Sequence, residues 1–238
     1  LNLRPNQLVL YGNHAVLSAL QNKQRKLHYL ISTKENYMKW IKCIKDFGLK
    51  IEIIIKTKEQ LDIINNFKPH QNVILIVEPL KRISLDEFLI EQQFISKHPL
   101  RIIILDQVTD PQNVGAIIRS AYAFKMDALA LSQTNSPIES IGMSKASSGT
   151  IEKLKIIELS NMSRAIRKLQ DANFHVYGLA NGGYGSVLDL EKEDGNVAVI
   201  VGSEGKGLRR LTREKVDQLL KIPINPDSES LNVSNAAS

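Results

Sequence analysis

Short apolar runs, each long enough for one strand and none longer, recur along this 238-residue chain. Ile51 to Ile55, Val73 to Val77, Ile102 to Leu105 and Val197 to Val201 are the plainest. Between them lie stretches with helical spacing, such as Tyr37, Trp40, Ile41, Ile44 and Phe47. That alternation restricts the chain to α/β architectures. In an open α/β sheet, ligand groups gather beyond the carboxyl ends of the strands. Two polar segments stand at such places. Asp110-Pro111-Gln112-Asn113-Val114-Gly115-Ala116-Ile117-Ile118-Arg119 comes after one run, and Gly202-Ser203-Glu204-Gly205-Lys206-Gly207-Leu208-Arg209-Arg210 after another. A third lies near the end: Ile222-Pro223-Ile224, then Ser230-Leu231-Asn232-Val233-Ser234.

The first part reads as a helix from His14 capped by Asn13, a strand at 27–32, and a helix ended by Gly48. A strand at 51–55, a short helix at 58–64 and a strand at 73–77 follow. Pro79, the Lys81-Arg82 pair and the mixed run to His98-Pro99 break the pattern, and read as a linker carrying a helix near 85–94. From Arg101 the alternation restarts: strands at 101–105, 128–132, 154–159, 174–180 and 197–201, helices at 111–124 and 162–171, and a helix from Leu208. Pro111 suits the first turn of its helix. Ile222-Pro223-Ile224 reads as a strand end. The expected division is a domain at 1–79, a linker at 80–100 and a second domain at 101–238. Trp40 is expected in the core of its helix rather than as a stacking surface.

The formal net charge of +6 is unevenly placed. Residues 1–80 carry 12 lysines and arginines against six acids, while the remainder is balanced at 19 of each. A basic module beside a neutral one points to a polyanion-docking part joined to a part with another task; a lysine-rich solvated surface is the other reading. No apolar run approaches the roughly 18–20 residues that span a bilayer. The single cysteine, Cys43, allows neither an internal disulfide nor a cysteine metal site, and a reducing, cytoplasmic setting is expected. The five histidines show no metal-binding spacing.

Taken singly, the polar segments are ambiguous. Arg119 lies mid-helix among apolar residues and must find an anionic partner or reach a cleft, since burial without one is very costly. Asn113 and Arg119 are six residues apart, about 240° around a helix, so they are no side-by-side pair. The glycine-rich segment at 202–207 has amides able to cradle a polar ligand, yet its spacing is neither that of a P-loop nor that of a dinucleotide-binding turn. Ser230 to Ser234 alone reads as helix capping. Asn181-Gly182-Gly183-Tyr184-Gly185 is a further loop able to approach a ligand closely.

Together, in this order, the three segments resemble the motifs of the SpoU/TrmH branch of the SPOUT methyltransferases. The patterns are Asp-Pro-x-Asn-x-Gly-x-x-x-Arg, Gly-x-Glu-Gly-x-Gly-Leu and Ile-Pro…Ser-Leu-Asn-Val-Ser. The first third, with Leu10-Tyr11-Gly12-Asn13-His14-Ala15-Val16, resembles the substrate-binding domain of 23S rRNA guanosine-2′-O-methyltransferases of the RlmB type. The resemblance implies an N-terminal α/β domain similar to ribosomal protein L30e, then a SPOUT α/β domain with a C-terminal trefoil knot. It implies S-adenosylmethionine as cofactor, no metal, a homodimer, and methylation of a ribose 2′-hydroxyl in RNA. By resemblance, Gly202, Gly207, Ile222 and Leu231 fall at cofactor positions, with the turn Ala180, Asn181 and Gly182 beside the adenine. Asn113, Arg119, Glu204, Ser230 and Asn232 fall at active-site positions.

The subfamily likeness implies a guanosine of the 23S rRNA P loop; a tRNA ribose target, or a non-catalytic RNA-binding homologue, are the alternatives. The family runs past its third motif into a helix that completes the knot and much of the dimer interface. Here the sequence stops at Ser238, with Asn235 where a small or apolar residue is usual, and this departure from the family pattern bears on the knot and the dimer.

Overall fold

A computed structural model describes residues 3–133, 139–225 and 230–238. Part of the third motif, 226–229, lies outside the described residues. In chain order the first elements are β1 (Leu8–Tyr11), α1 (Asn13–Gln21), β2 (Leu27–Ser32), α2 (Lys34–Asp46), β3 (Glu52–Ile55), α3 (Lys58–Ile64) and β4 (Val73–Val77). Then come β5 (Ile83–Ser84), α4 (Leu85–Ile95), β6 (Arg101–Asp106), α5 (Pro111–Ala123) and β7 (Ala128–Ser132). The remainder holds α6 (Ile141–Ala146), β8 (Lys155–Leu159), α7 (Met162–Asp171), β9 (Phe174–Leu179), β10 (Gly185–Ser186), β11 (Asn196–Gly202), α8 (Arg210–Lys215), β12 (Gln218–Lys221) and α9 (Val233–Ala236).

The chain divides into two compact units, and the division is not contiguous. The first comprises Leu1–Lys81 together with Glu139–Lys153; the second comprises Arg82–Ile138 and Leu154–Ser238. The first unit has a four-stranded sheet in the order β1-β4-β2-β3. Its central strand β4 is buried throughout, as five successive apolar residues allow. Val73, Leu75 and Val77 pack with Trp40 and Leu20 on one face, while Ile74 and Ile76 pack with Tyr11 and Leu61 on the other. The period-two alternation of strand side chains thus feeds two cores from one run. Trp40 is fully buried, as expected of a core residue.

Several contacts return the segment 139–153 to this unit. Ile141 packs against the Ile74–Ile76 core. Gly149, at φ 82°, lies so close to α1 that a Cβ there would sit 2.3 Å from Ser18 Oγ. Arg25 is enclosed between Glu139 and Glu152. Its Nη1 donates to Glu78 O at 2.7 Å and Glu139 Oε2 at 3.0 Å, and its Nε to Glu152 Oε1 at 3.0 Å. Its Nη2 donates to Glu152 Oε1 at 2.7 Å and also to Glu139 Oε1. All five guanidinium donors are therefore used. Burial opposes the charge on Arg25, but the two carboxylates outweigh it and hold its pKa above the ordinary value. Burial raises Glu152, with Arg25 and Asn22 offsetting part of the rise.

The second unit is an eight-stranded sheet in the order β10-β12-β9-β11-β6-β7-β8-β5, with every pairing parallel. Ile102, Ile104, Ala130, Ile157, Val176 and Ile200 share one core with Phe88 of α4 and with Ile166 and Leu169 of α7. The alternate residues Ile103, Leu105, Leu129 and Leu131 are also buried, as a sheet covered on both faces requires. Most spans agree with the sequence reading; β1, β5 and β10 are strands it did not contain, and four further places differ. Asn13 is the first residue of α1 rather than its cap: Gly12, at φ 90°, takes that place, and the Asn13 side chain accepts from Lys39 Nζ at 2.8 Å. Residues 82–100 lie within the second unit, because β5 pairs with β8 and Leu85 and Phe88 enter its core. The stretch between β7 and β8, where the sequence reading has no helix, carries α6. Ile222-Pro223-Ile224 lies just past the end of β12.

Candidate functional site

Strands β6, β9, β11 and β12 all end on the same side of the second sheet, and the three motifs leave from there or return to it. In the first, Asp110 caps α5 by accepting from Gln112 N at 3.0 Å, and Pro111 opens the helix. Asn113 is then in the first turn, with its side chain directed away from the buried face of Val114, Ile117 and Ile118.

The glycines of the second motif each have a physical reason. Gly205 and Gly207 have φ of 74° and 62°, which suits glycine. Gly202 is required for space: a Cβ there would lie 2.2 Å from Gly207 C. The loop closes on itself through an isolated bridge between Ser203 and Gly207, with Gly207 N donating to Ser203 O at 2.8 Å. Beyond it, the fully buried Asp106 at the end of β6 accepts from Arg209 Nε at 2.7 Å, Arg209 N at 3.2 Å and Thr212 Oγ1 at 2.8 Å. Asp106 therefore anchors the junction between the loop and α8. The sequence reading assigned it no part; the available signal was an acid closing an otherwise apolar strand.

Glu204, at the tip of that loop, brings the motifs together. Its Oε1 accepts from Asn113 Nδ2 at 3.2 Å, from Val233 N at 3.3 Å and from Asn232 Nδ2. Asn232 Nδ2 also donates to Asn113 Oδ1 at 3.3 Å. Asn232 caps α9, accepting from Ser234 N at 2.9 Å, so the capping reading of this segment and its place in the cluster both hold. One carboxylate oxygen that accepts from three donors acts as a hub that ties the three motifs together.

A cleft of about 370 Å³ opens beside this hub. Gly202, Gly207, Ile222, Leu231, Ala180 and Asn181 all line it, as do Glu204 and Ser230. Gly182 is in the adjoining turn, and its backbone does not form part of the wall. That turn is held against β12 by Ala180 N donating to Leu220 O at 2.9 Å, and Gly183 is so close that a Cβ would meet Leu220 C at 2.4 Å. Arg213 of α8 also lines the cleft. Arg119 is placed elsewhere: it is exposed on α5, outside the cleft wall, and has no ion pair or hydrogen bond among the described residues. The sequence argument that Asn113 and Arg119 are not neighbours on the helix agrees with this. No group of three or more potential metal ligands occurs among the described residues.

Residues 100–238 match the SpoU rRNA Methylase family, and residues 9–82 match the RNA 2′-O ribose methyltransferase substrate-binding family. The chain belongs to the SpoU family. A Staphylococcus aureus (strain COL) protein assigned to the TrmH family of tRNA/rRNA methyltransferases is 34% identical over 233 residues, which is 97% of this chain and 92% of that one. The 23S rRNA (guanosine-2′-O-)-methyltransferase RlmB of Vibrio vulnificus (strain CMCP6) is 31% identical, covering 96% and 92%. Among solved structures, the SpoU methyltransferase AviRb of Streptomyces viridochromogenes, in complex with AdoMet, superposes with a TM-score of 0.79 at 19% identity, covering 98% of this chain and 86% of that one. The AdoMet-bound rRNA methyltransferase of Sinorhizobium meliloti gives 0.79 at 21%, covering 98% and 84%. These likenesses establish the fold.

Proposed function

We propose that this SpoU-family RNA 2′-O-methyltransferase, which uses S-adenosylmethionine, acts on large-subunit rRNA and most specifically on a guanosine ribose. The observation that carries the catalytic reading is the convergence of Asn113, Glu204 and Asn232 beside the cleft at 179–236. The residues present fit the cofactor. Leu179, Ala180, Ile222 and Leu231 offer apolar surface for a purine, and the missing Cβ at Gly202 lets the glycine loop close tightly at the cleft wall. When bound, S-adenosylmethionine supplies a methyl group made electrophilic by its sulfonium. Gly202, Gly207, Ile222, Leu231 and the Ala180–Asn181 turn would hold it.

The rest falls to the side chains of the chain itself. Glu204 keeps Asn113 and Asn232 in register, so that the three motifs present one fixed polar surface; such alignment can be worth on the order of 7–11 kcal/mol in a displacement. Ser230 and Asn232 supply hydrogen bonds to the ribose. Arg119, with no carboxylate partner among the described residues, binds the target phosphate and polarises the 2′-hydroxyl without giving up its own proton. The family likeness also supports a homodimer and a cytoplasmic setting as parts of this reading.

Mass-spectrometric mapping of ribose methylation on rRNA and tRNA from cells lacking the gene tests the substrate. Loss of one 23S rRNA guanosine methyl is expected, and loss confined to tRNA would overturn the assignment. In methyl transfer to rRNA in vitro, Arg119→Ala should lower turnover about a hundredfold or more. Near-normal turnover in that variant, with Asn113→Ala inactive, would remove Arg119 from the mechanism.

A further inference from the structure

The cleft beside the hub contains a cation that the reading above leaves without a task. Among its described lining residues Glu204 is the acid, and Lys206 and Arg213 are the cations. Glu204 is occupied by the hub. Arg213 belongs to a short run in which two other arginines are paired. Arg209 Nε donates to Asp106 Oδ1 at 2.7 Å, and Arg210 Nη1 donates to Glu214 Oε1 at 2.6 Å. The Arg213 side chain has neither an ion pair nor a hydrogen bond among the described residues.

The fold fixes where that guanidinium is. Leu208 is buried in the core of the second unit, and Thr212 Oγ1 donates to Asp106 Oδ2 at 2.8 Å, so α8 is tied down along its inner face. Arg213 is one residue on, about 100° further round the helix, and its side chain reaches the cleft wall. A Cβ on Gly182 would lie 4.0 Å from Arg213 Nη2, which sets the guanidinium against the turn that follows β9.

Charge selects what it can hold there. S-adenosylmethionine carries a sulfonium, an ammonium and a single carboxylate. A guanidinium repels the first two and pairs with the third, most strongly through two parallel N–H···O bonds. At about 370 Å³ the cleft is at the small end for a ligand of this size, so the adenosine arm and the amino-acid arm have to share it. The apolar side chains of Leu179, Ile222 and Leu231 offer a carboxylate nothing, and Glu204 repels it.

We propose that Arg213 binds the carboxylate of the cofactor's amino-acid arm, and is the residue by which the cleft selects an amino-acid-bearing adenosine over one without that arm. The inference rests on the placement of S-adenosylmethionine in this cleft. The test is calorimetric titration of the full chain with S-adenosylhomocysteine and with 5′-methylthioadenosine, which keeps the adenosine and the thioether but lacks the carboxylate and the ammonium. Arg213→Ala should weaken S-adenosylhomocysteine about tenfold and leave 5′-methylthioadenosine within about twofold of the parent. Arg213→Lys keeps the charge and loses the fork, and should recover part of the loss. The Arg213 side chain is exposed and unpaired among the described residues, so the thermal midpoint of Arg213→Ala should stay level, and a selective loss then reports the contact rather than unfolding. An equal loss for both ligands would overturn the proposal, in favour of a guanidinium set against the purine. No loss for either would also overturn it, and weaker binding of an rRNA fragment by the same variant would then assign the guanidinium to a phosphate. A selective loss seen in Lys206→Ala and not in Arg213→Ala would overturn it in favour of the loop tip. A parent chain that binds neither ligand would sink the cofactor placement and this inference together. Otherwise the two readings fail separately. The expected selective loss without methyl transfer to rRNA sinks only the proposed function, and normal methyl transfer with unchanged S-adenosylhomocysteine affinity in Arg213→Ala sinks only this inference.

Discussion

The two units place charge in opposite ways. The first carries a net of +7, and the second has sixteen basic residues against seventeen acids. Among the described residues, each also contains a buried charge network. In the first unit a cation, Arg25, is enclosed by two carboxylates. In the second a carboxylate, Asp106, is enclosed by Thr212 and an arginine whose side chain stays partly in water. The difference separates two tasks. A cationic surface attracts a polyanion from a distance and in a salt-dependent way. A nearly neutral unit can leave its cleft to short hydrogen bonds, which act only once the ligand is seated. The networks follow the same division: the Arg25 network holds a returning chain segment in place, and the Asp106 network anchors the loop that carries Glu204.

The sharpest way to break this comparison is to remove Arg25. Arg25→Ala leaves Glu139 and Glu152 buried together without their cation, and should cost about 3–5 kcal/mol, read as a lower urea midpoint. Arg25→Lys keeps the charge but offers three donors in place of five, and should still cost about 2 kcal/mol. A lysine variant as stable as the parent would mean that the donor geometry does not matter and that the segment 139–153 is held by its apolar contacts alone.

A smaller effect should follow from Asp106→Asn. The amide keeps the shape but loses the charge that holds Arg209, and the nearby Thr212 hydroxyl is buried. A loss of about 1–3 kcal/mol is expected, together with weaker S-adenosylmethionine binding by calorimetry, since the anchored loop forms the cleft wall. Unchanged cofactor affinity alongside the lost stability would make Asp106 a structural residue only.

These two networks also mark what could be read from the sequence and what could not. Strands such as Val73–Val77 and Arg101–Asp106 were legible because an unbroken apolar run with turn residues at its ends admits little else. The meeting of Asn113, Glu204 and Asn232 was expected only from the motif resemblance; no periodicity connects residues that lie 91 and 28 positions apart. The return of 139–153 to the first unit was hidden because it depends on Arg25 meeting two acids more than a hundred positions away, and local spacing carries no trace of such a pair. The assignment of residues 82–100 failed for a related reason. Pro79 and the basic pair suggest a break, yet Leu85, Phe88 and Leu89 recur at helical spacing and enter the second core.

The mildest test concerns the second unit away from its cleft, where charge is paired at the surface rather than enclosed. Tyr177 Oη donates to Glu193 Oε1 at 2.7 Å, and His175 Nδ1 approaches Glu193 Oε2 at 3.0 Å. Burial first, and then the hydrogen bond to Glu193, push the Tyr177 pKa up to about 12. The same bond from Tyr177, followed by that from His175, holds Glu193 below its ordinary range. The signs are opposite. Stability from neutral Tyr177 is complete below the ordinary tyrosine value of about 10 and is lost as pH rises toward its folded value. Stability from ionised Glu193 is present above the ordinary value of about 4.3 and is lost as pH falls through its depressed folded value. Phenolate absorbance during an alkaline titration should therefore show a late component that is diminished in Tyr177→Phe, with Tyr11, whose pKa burial also raises, still contributing to it, and that variant should lose part of the parent's stability decline on the alkaline side. A late component undiminished in Tyr177→Phe would assign the delay to another tyrosine, and the pair with Glu193 would then add nothing to the unit that carries the cleft.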